Sequence, residues 1–245
     1  MCELFGASSR TPRGYARWLA TLRARGGAAA DNPDGWGVGY WSGDHPNIEK
    51  SEQPGWNSEP FLRLSENLVS DLVIAHVRKA RHPPVPSLDS THPFIHLCCG
   101  RSWVFAHNGL VSGVFEQALA NPTCHPRGKT DSEFAFCQLL TVIDQSYAND
   151  DQHRWLHALN QLADIIAGLG KFNFLLSDGR ILIAYGHDRL HYLESMQGED
   201  RYALVATEPL SDEPWQPFAA HELRVYQDGV LRLSRAPALR EFAAA

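Results

Sequence analysis

The sequence predicts an α+β fold in which antiparallel sheets are stacked in layers. Four segments show helical periodicity, near 12–24, 58–69, 131–147 and 152–168. Nine segments show strand patterns, near 2–8, 35–41, 72–78, 102–107, 171–177, 180–186, 201–207, 222–227 and 229–234. The last two helices fall between two groups of strands, which argues against a regular βαβ alternation. The 245 residues, 44% of them hydrophobic, suffice for one sizeable core, so we expect a single domain over 1–245.

The first segment carries Cys2, which becomes the N-terminal residue once Met1 is removed. A thiol and an α-amine then share one residue, and the amine can act as the base for the thiol, directly or through water. Such a base matters because an ordinary thiol, with a pKa of about 8.5, is mostly protonated at neutral pH. A cysteine near a terminus also arises by chance, so this interpretation depends on partner residues downstream.

Two segments rich in turn-forming residues are predicted to be loops. Residues 26–35 follow the first helix and contain small and turn-forming residues, whereas residues 81–86 contain three prolines and should be stiff and extended. The first segment could act as a lid that keeps water from a reactive intermediate, and the second could line the same cleft. For each, a plain surface connection explains the sequence equally well.

The apolar run that begins at Asp71 predicts a buried strand that ends in Arg78. A guanidinium group presents two parallel donors to a carboxylate, so Arg78 is a candidate for recognition of a substrate carboxylate. Taken alone, this arginine is better explained by a surface salt bridge.

The strand pattern near 102–107 runs into Asn108 and Gly109. Attack on an amide carbonyl creates an oxyanion, and an asparagine side-chain amide together with an unobstructed glycine N–H can stabilise that charge. Asn108 and Gly109 are therefore candidates for the oxyanion site. Asn-Gly is also the preferred pair of a type I′ hairpin turn, which on its own is the commoner explanation.

Asp131 opens the third predicted helix. Thr130 and Glu133 have the spacing of a capping box, which favours a structural role for this segment. The alternative, of equal weight, is that Asp131 binds a substrate ammonium group. A site with a nucleophile, oxyanion donors, a cation for a carboxylate and an anion for an ammonium group fits an α-amino acid amide such as glutamine; its members are Cys2, Asn108, Gly109, Arg78 and Asp131.

Several short motifs resemble, in residues, order and spacing, those of the class II glutamine amidotransferases. They are Met1–Gly6, His76–Arg78, Thr91–Phe94, Ala106–Gly109 and Thr130–Glu133, together with Asp34–Gly37 and Phe172–Gly179. The resemblance covers nearly the whole chain and is nearest to the stand-alone bacterial YafJ type.

The resemblance implies an N-terminal nucleophile hydrolase fold, a four-layer αββα sandwich of two antiparallel sheets. It also implies that Cys2 forms a γ-glutamyl thioester and releases ammonia, that Asn108 and Gly109 stabilise the oxyanion, and that Arg78 and Asp131 bind the two ends of glutamine. Asp34 and Asn173 are expected to be structural, although Asn173 could orient the N-terminus. The run Lys79–His82 replaces a Trp-Ala-Thr-His run of the fused synthases, which leaves the substrate open.

Three functions remain open at this stage. A chain of 245 residues has little room for a synthase domain, so the ammonia acceptor would be bound by a separate protein. Alternatively, water is the acceptor and the protein is a γ-glutamyl or other amide hydrolase, as in thiol-histidine biosynthesis or glutathione turnover. If Met1 is retained, it acylates the proposed base, and a non-catalytic binding subunit becomes the favoured hypothesis.

The composition limits the classes of binding partner and the cellular location that we expect. The net charge of −6 gives no electrostatic reason to expect nucleic acid or an anionic membrane as partner. No segment has the apolar core of a signal peptide or the length of a membrane span, so we expect a cytoplasmic protein. Its five cysteines form an odd set without C-x-x-C spacing, which fits a reducing compartment better than a disulfide framework.

We expect neither a cofactor nor a metal. His76, His92 and His107 lack the i, i+4 spacing of familiar helical zinc sites, and each lies beside an apolar strand or a proline. A hydrogen-bonded structural histidine is therefore the expected role for each. A histidine paired with Cys2 is the main rival of the α-amine for the role of base.

Overall fold

The computed structural model describes residues 2–80, 87–147, 151–197 and 200–236. Its helices are α1 (Ala16–Arg25), α2 (Glu59–Asn67), α3 (Asp131–Ser146) and α4 (Gln152–Ala167). Its strands are β1 (Glu3–Gly14), β2 (Trp36–Ser42), β3 (His45–Ser51), β4 (Val69–Val77), β5 (Phe94–Cys98), β6 (Arg101–Leu110), β7 (Lys171–Ser177), β8 (Leu182–Gly186), β9 (His191–Gln197), β10 (Asp200–Ala206), β11 (Gln216–Pro217), β12 (Glu222–Gln227) and β13 (Val230–Arg235). Short 3-10 turns lie at Gly55–Asn57, Leu88–Ser90 and Ser112–Gln117.

The strands form two antiparallel sheets. The first sheet has the order β11-β9-β10-β1-β4-β2-β3, and the second has the order β13-β12-β8-β7-β6-β5. Strand β1, the first of the chain, lies in the interior of its sheet between β4 and β10. The predicted α+β class with layered antiparallel sheets is therefore confirmed.

Three apolar layers hold the sheets and helices together. Successive residues of a strand face opposite sides, so Leu4 packs between the two sheets while Phe5 packs beneath α1 and α2. On the second sheet Val104 faces the first sheet and Phe105 faces α3 and α4. The order of layers is helices, sheet, sheet, helices, which is the four-layer αββα sandwich that the resemblance implies.

The main errors of the sequence prediction concern strands at or beside a sheet edge. Strands β3, β5, β9 and β11 were not predicted. Three of them, β3, β5 and β11, end a sheet, and β9 lies next to β11 at the edge of the first sheet. A strand with one open side needs fewer apolar residues, so its alternation is weak; β3, for example, reads His-Pro-Asn-Ile-Glu-Lys-Ser. Helix α1 begins at Ala16 rather than near 12 because Arg13 and Gly14 still pair with β4.

The cysteines differ from the sequence prediction as well. Cys124 and Cys137 form a disulfide, whereas Cys2, Cys98 and Cys99 are free thiols. An arrangement without disulfides was predicted from the odd cysteine count and the missing C-x-x-C spacing. The pairing was missed because it joins a loop to a helix 13 residues away, and no local pattern marks such a contact.

None of the helices in the described part of the chain is long and apolar enough to cross a membrane. The proline-rich segment 81–86, predicted to be an extended wall of the cleft, lies outside the described residues. The loop 26–35 is irregular as predicted, and its last residues pair with the end of β4, since the Asp34 N–H donates to the Arg78 carbonyl. Its role as a lid stays a prediction.

Candidate active site

Cys2 lies at one end of the first sheet because β1 and β4 are antiparallel. Glu3 pairs with Val77, so Cys2 is opposite the residues that follow β4. There the Lys79 N–H donates to the Cys2 sulfur at 3.1 Å, and the thiol is 3.3 Å from the Lys79 carbonyl oxygen. The thiol is thus fixed by backbone groups, and among the described residues none of its hydrogen bonds involves a histidine.

The surroundings of Cys2 act on its pKa in opposite directions. Burial raises the pKa of the thiol because the thiolate loses hydration. The Lys79 N–H and the positive charge of Arg78 lower the pKa, but the net shift is upward. At neutral pH the thiol therefore needs a base to react, which is the role assigned to the α-amine in the sequence analysis.

A cleft of about 320 Å³ opens beside the thiol. Four of the five predicted site residues line it, namely Cys2, Arg78, Gly109 and Asp131. They come from the starts or ends of β1, β4, β6 and α3, which all meet at the same end of the sandwich. Further lining residues that were not predicted as site residues are Lys79, His92, His107, Ser112, Phe115 and Lys129.

Asn108, the fifth predicted residue, is buried behind the thiol. Its side-chain amide donates to the Cys2 carbonyl and, at 3.3 Å, to the Thr207 hydroxyl oxygen. Thr207 also accepts from the Leu4 N–H at 2.9 Å. The amide predicted to bind an oxyanion is thus anchored to the backbone of Cys2, and Thr207 is a supporting residue that the sequence did not reveal.

Asn173 supports Asn108 from the neighbouring strand. Its side-chain amide donates to the Asn108 carbonyl at 3.2 Å and to Asp188 at 2.9 Å. Its side-chain oxygen accepts from the backbone N–H of His187 at 2.8 Å. The contacts fit the predicted role of a buried amide near the sheet ends, one step removed from the N-terminus.

Gly109 occupies a position that only glycine can fill. Its φ is +155°, and a Cβ placed there would lie 1.8 Å from the Lys171 carbonyl oxygen. The Asn-Gly pair is not the tip of a two-residue hairpin, because both residues pair with β7 inside the ladder. The type I′ turn that explained this pair on sequence grounds is therefore wrong.

Arg78 lies in the cleft wall and is tied to the end of loop 26–35. Its guanidinium group donates to the Asp34 carbonyl at 3.3 Å, and the Asp34 carboxylate accepts from the Ala80 N–H at 2.8 Å. Within the described ranges, the Asp34 carbonyl is the one acceptor of the Arg78 guanidinium. No salt bridge within those ranges involves Arg78, so the surface salt bridge preferred for the arginine alone is not observed.

Asp131 is the first residue of α3 and lines the cleft. Its carboxylate accepts from the backbone N–H of Val111 at 2.7 Å and of Ser132 at 2.9 Å. The predicted capping box is only half formed: the Thr130 hydroxyl accepts from the Glu133 N–H at 3.2 Å. The Glu133 carboxylate instead accepts from the Gly128 N–H at 2.7 Å. Asp131 thus has a structural role, and its carboxylate keeps lone pairs that can accept further hydrogen bonds.

His107 has a defined orientation in the cleft wall. Its Nε2 lies 3.1 Å from the Lys171 carbonyl oxygen and must donate to it, so Nδ1 accepts from the Ser132 hydroxyl at 2.8 Å. Burial lowers the pKa of His107, and the charge of Asp131 opposes this shift. The role expected for this residue, a hydrogen-bonded structural histidine, matches these contacts.

His76 and His92 are buried beside one another, with ring centroids 4.5 Å apart. Burial lowers the pKa of both rings, to about 3 for His76. None of the ring nitrogens of His76 and His92 has a hydrogen-bond partner in the described part of the chain, so the expectation of a hydrogen-bonded ring is wrong for both residues. His92 also lines the cleft.

Comparisons with known proteins agree on one family. Residues 1–197 match the family model described as class-II glutamine amidotransferases. YafJ of Escherichia coli (strain K12) is 33% identical over 252 residues, which cover 92% of this chain and 97% of YafJ.

A named hydrolase and a solved structure are also similar to the chain. The gamma-glutamyl-hercynylcysteine sulfoxide hydrolase of Mycobacterium tuberculosis (strain H37Rv) is 29% identical over 209 residues, covering 81% of this chain and 78% of that enzyme. The 2.0 Å crystal structure of a predicted glutamine amidotransferase from Pseudomonas aeruginosa PA01 superposes with a TM-score of 0.72 at 26% identity, covering 95% of this chain and 100% of that one.

Proposed function

The chain belongs to the class II glutamine amidotransferases, and we propose that it releases ammonia from the side-chain amide of glutamine through a γ-glutamyl thioester on Cys2. The observation that carries this proposal is the shared cleft, in which the thiol of Cys2 lies with Arg78, Gly109 and Asp131. A nucleophile and two opposite charges at one end of the sandwich fit an α-amino acid amide better than any other substrate class.

The proposed reaction begins once Met1 is removed. The α-amine of Cys2 takes the thiol proton, and the thiolate attacks the amide carbon of the substrate. As the tetrahedral intermediate collapses, the carbon–nitrogen bond breaks and the amide nitrogen takes that proton and leaves as ammonia. Water then attacks the thioester, its hydroxyl joins the acyl carbon, and its proton returns to the sulfur. Glutamate and the original thiol result.

Arg78 and Asp131 bind the α-carboxylate and α-ammonium groups of the substrate in this proposal. The guanidinium group has five N–H donors, and one of them is used on the Asp34 carbonyl. The carboxylate of Asp131 already accepts backbone hydrogen bonds, which hold it in place, and each of its oxygens has a further lone pair. Both charges are therefore preorganised by backbone contacts.

Asn108 and Gly109 stabilise the oxyanion. In the structure the Asn108 amide donates to the Cys2 carbonyl and to Thr207, so it must release one of these contacts to donate to the oxyanion. The Gly109 backbone reaches the cleft because no side chain covers it. Loss of one such donor reduces kcat by about 10²–10³-fold in other acyl-transfer enzymes.

A second candidate function has its own support. The similar M. tuberculosis enzyme is named a gamma-glutamyl-hercynylcysteine sulfoxide hydrolase. By analogy, the chain would cleave a larger γ-glutamyl substrate, with water as the acceptor. The rim of the cleft carries Phe115 and Lys129, which would face the part of a substrate beyond its γ-glutamyl group.

The first experiment is an intact-mass measurement with 6-diazo-5-oxo-norleucine, an electrophilic glutamine analogue. The proposal predicts loss of Met1 and a single adduct on the peptide that contains Cys2, with no adduct in Cys2→Ala. Cys98→Ser serves as the matched control and should label fully, because Cys98 is buried away from the cleft. A folded protein that retains Met1 and takes no label would contradict the enzyme and favour a binding subunit.

Product analysis separates the two enzymatic candidates. With glutamine and hydroxylamine, a glutamine-utilising enzyme forms ammonia and γ-glutamyl hydroxamate, whereas a γ-glutamyl hydrolase prefers a γ-glutamyl dipeptide and releases an amino acid. The comparison is one of kcat/KM for the two substrates in the same preparation. A kcat/KM for the dipeptide at least 100-fold above that for glutamine would reject glutamine as the physiological substrate.

A further inference from the structure

Three soft metal-binding side chains converge outside the cleft. They are His96 on β5, Cys124 in the connection before α3 and Cys137 in the second turn of α3. One ligand atom of each lies within 4.8 Å of the ligand atoms of the other two. The two cysteines form a disulfide in the structure, with their Cα atoms 5.3 Å apart. The backbone therefore already places the two side chains close enough to bind the same ion.

The histidine in this group is buried beside a carboxylate, a contact that a disulfide does not require. The side chain of His96 is only 10% exposed, and its Nε2 lies 3.3 Å from the carboxylate of Glu133, which is 3% exposed. That carboxylate is itself fixed by the Gly128 N–H at 2.7 Å. A buried carboxylate that orients an imidazole is the usual support of a histidine metal ligand.

The dimensions of the cluster suit a zinc ion. Zinc binds sulfur at about 2.3 Å and imidazole nitrogen at about 2.0–2.1 Å, so tetrahedral donor atoms lie roughly 3.3–3.8 Å apart. Once the sulfur–sulfur bond is opened, the donor separations must change by up to about 1.5–1.8 Å, because the two sulfurs move apart and any pair at the 4.8 Å limit moves closer. Side-chain rotation can supply such a shift without moving β5 or α3.

We propose that, in the reduced protein, His96, Cys124 and Cys137 bind one zinc ion, with a solvent molecule as the fourth ligand. A dithiol reductant opens the disulfide by giving two electrons and two protons, and is itself oxidised to a disulfide. Zinc then replaces the protons of the two thiols, so two protons are released for each ion bound. His96 binds as the neutral imidazole.

The ion would join two parts of the cleft wall. Cys124 lies in the connection that runs from the turn at Ser112–Gln117 to Thr130, and Cys137 lies on α3, which begins at Asp131. Phe115 and Lys129, at the two ends of this connection, both line the cleft. Zinc would hold this connection against α3 without touching a substrate.

The test uses full-length protein reduced with dithiothreitol and freed of the reductant without oxygen. Zinc content is measured after dialysis against buffered zinc, and cobalt is added to a second sample as a spectroscopic probe. The proposal predicts one zinc per chain and a thiolate-to-cobalt charge-transfer band in the near ultraviolet. Oxidation to the disulfide should abolish both signals.

Variants identify the ligands. Cys124→Ser and Cys137→Ser should each lower zinc affinity at least 100-fold, and Glu133→Gln should lower it about 10–100-fold by releasing the His96 ring. His96→Gln is compared with His125→Gln, since His125 follows Cys124 but is exposed. Circular dichroism verifies that each variant is folded. Full binding by His96→Gln, or equal losses in both histidine variants, would overturn the assignment.

A double variant tests the neighbouring thiols. Cys98 and Cys99, with Asp144, form another group of potential donors, and their sulfurs lie 3.0 Å apart. Cys98→Ser combined with Cys99→Ser should keep the zinc and the cobalt band. Loss of both signals in this variant, or a folded and reduced wild-type protein that holds no zinc, would overturn the proposal and leave Cys124 and Cys137 as a disulfide pair only.

Discussion

The thiol of Cys2 lies in an environment whose opposing effects on its pKa can be measured separately. Burial raises its pKa, and Arg78 lowers it. We predict that the pH midpoint of iodoacetamide alkylation at Cys2 lies above the value of about 8.5 for an ordinary thiol. In Arg78→Met the midpoint should move further up, because the thiolate loses a neighbouring positive charge.

Iodoacetamide is uncharged, so its reaction does not depend on any effect of Arg78 on substrate binding. Peptide mapping distinguishes alkylation at Cys2 from alkylation at the other thiols. Lys79→Met is the matched control. Its ammonium group pairs with Asp31, and only its backbone contacts the sulfur, so the midpoint should stay at the wild-type value. An unchanged or lower midpoint in Arg78→Met would show that the charge of Arg78 does not lower the pKa of this thiol.

Gly109 allows a second test at the scale of one residue. In Gly109→Ala the new Cβ would meet the Lys171 carbonyl oxygen, so the ladder between β6 and β7 must shift beside the cleft. We expect a loss of about 3 kcal/mol or more in the free energy of unfolding, together with loss of labelling at Cys2. Urea unfolding and intact mass measure these two effects.

Gly43→Ala is a suitable comparison because Gly43 also has a positive φ, of +68°, but open space around it. Its loss of stability should be about 1 kcal/mol, with labelling unchanged. Similar losses of stability in the two variants would mean that the close approach at Gly109 is relieved without displacing the ladder.

The burial of His76 leads to a prediction about the stability of the protein at acidic pH. The pKa of His76 in the folded protein is lowered to about 3, chiefly by burial and also by Arg78 and His107, so folding excludes a proton that the unfolded chain binds below pH 6.5. Stability is therefore complete above about pH 6.5 and falls as the pH drops towards the folded pKa. One such histidine costs about 1.4 kcal/mol between pH 7.5 and pH 5.5.

In His76→Leu the free energy of unfolding should lose about 1.4 kcal/mol less than in the wild type over that interval. Urea unfolding at the two pH values measures the difference, and His45→Leu, at an exposed position on β3, is the control. An unchanged pH dependence in His76→Leu would show that His76 does not exclude a proton in the folded state.

At the scale of elements, the start of α3 combines helix capping with the cleft. Thr130 caps α3 and lines the cleft, whereas Ser58 caps α2 on the opposite side of the sandwich. Thr130→Ala and Ser58→Ala should each lower the free energy of unfolding by about 1 kcal/mol. Only Thr130→Ala should raise KM, because the neighbouring Asp131 then loses its fixed position.

Thermal unfolding and steady-state kinetics with glutamine test this pair of variants. An equal rise of KM in both variants would indicate a general loss of stability rather than a local effect on Asp131. An unchanged KM in Thr130→Ala, with the expected loss of stability, would separate the cap from the binding site.

The same helix shows which parts of the structure the sequence could predict. Helix α3 was predicted at 131–147 and is observed at Asp131–Ser146, because its cap, apolar period and helix-forming residues are all local signals. The capping box was half wrong because Gly128 and His96 compete for the Glu133 carboxylate. Contacts between distant segments decide that competition, and no local pattern contains them.

The residues of the candidate site also include some that the sequence could predict and some that it could not. Cys2, the strand-end Arg78 and the Asn-Gly pair could be read from short motifs. The supports of these residues could not: Thr207 reaches Asn108 across a sequence separation of 99 residues, and Lys171 reaches His107 across 64. Such partners are brought together only by the pairing of whole strands.

At the scale of the whole molecule, the two sheets and the helices converge on one end of the sandwich. Strands β1 and β4 bring the thiol and Arg78, β6 brings Asn108 and Gly109, and α3 brings Asp131. Each apolar layer is shared by two or more elements, so the elements that carry the cleft residues are packed against one another. The layered packing was predictable from strand alternation, but the order of strands within each sheet was not.

The pairing of β1 with β10 has a consequence for how the protein is made. Leu4 is bonded to Thr207 across a sequence separation of 203 residues, and Thr207 also holds Asn108 behind the thiol. A ribosome that adds about 5–20 residues per second needs roughly 10–40 s to produce that stretch of chain. Throughout this interval the β10 side of β1 is unpaired, although Met1 is already accessible to an aminopeptidase. If Met1 is removed, as the proposed function requires, that trimming can therefore precede the assembly of the pocket.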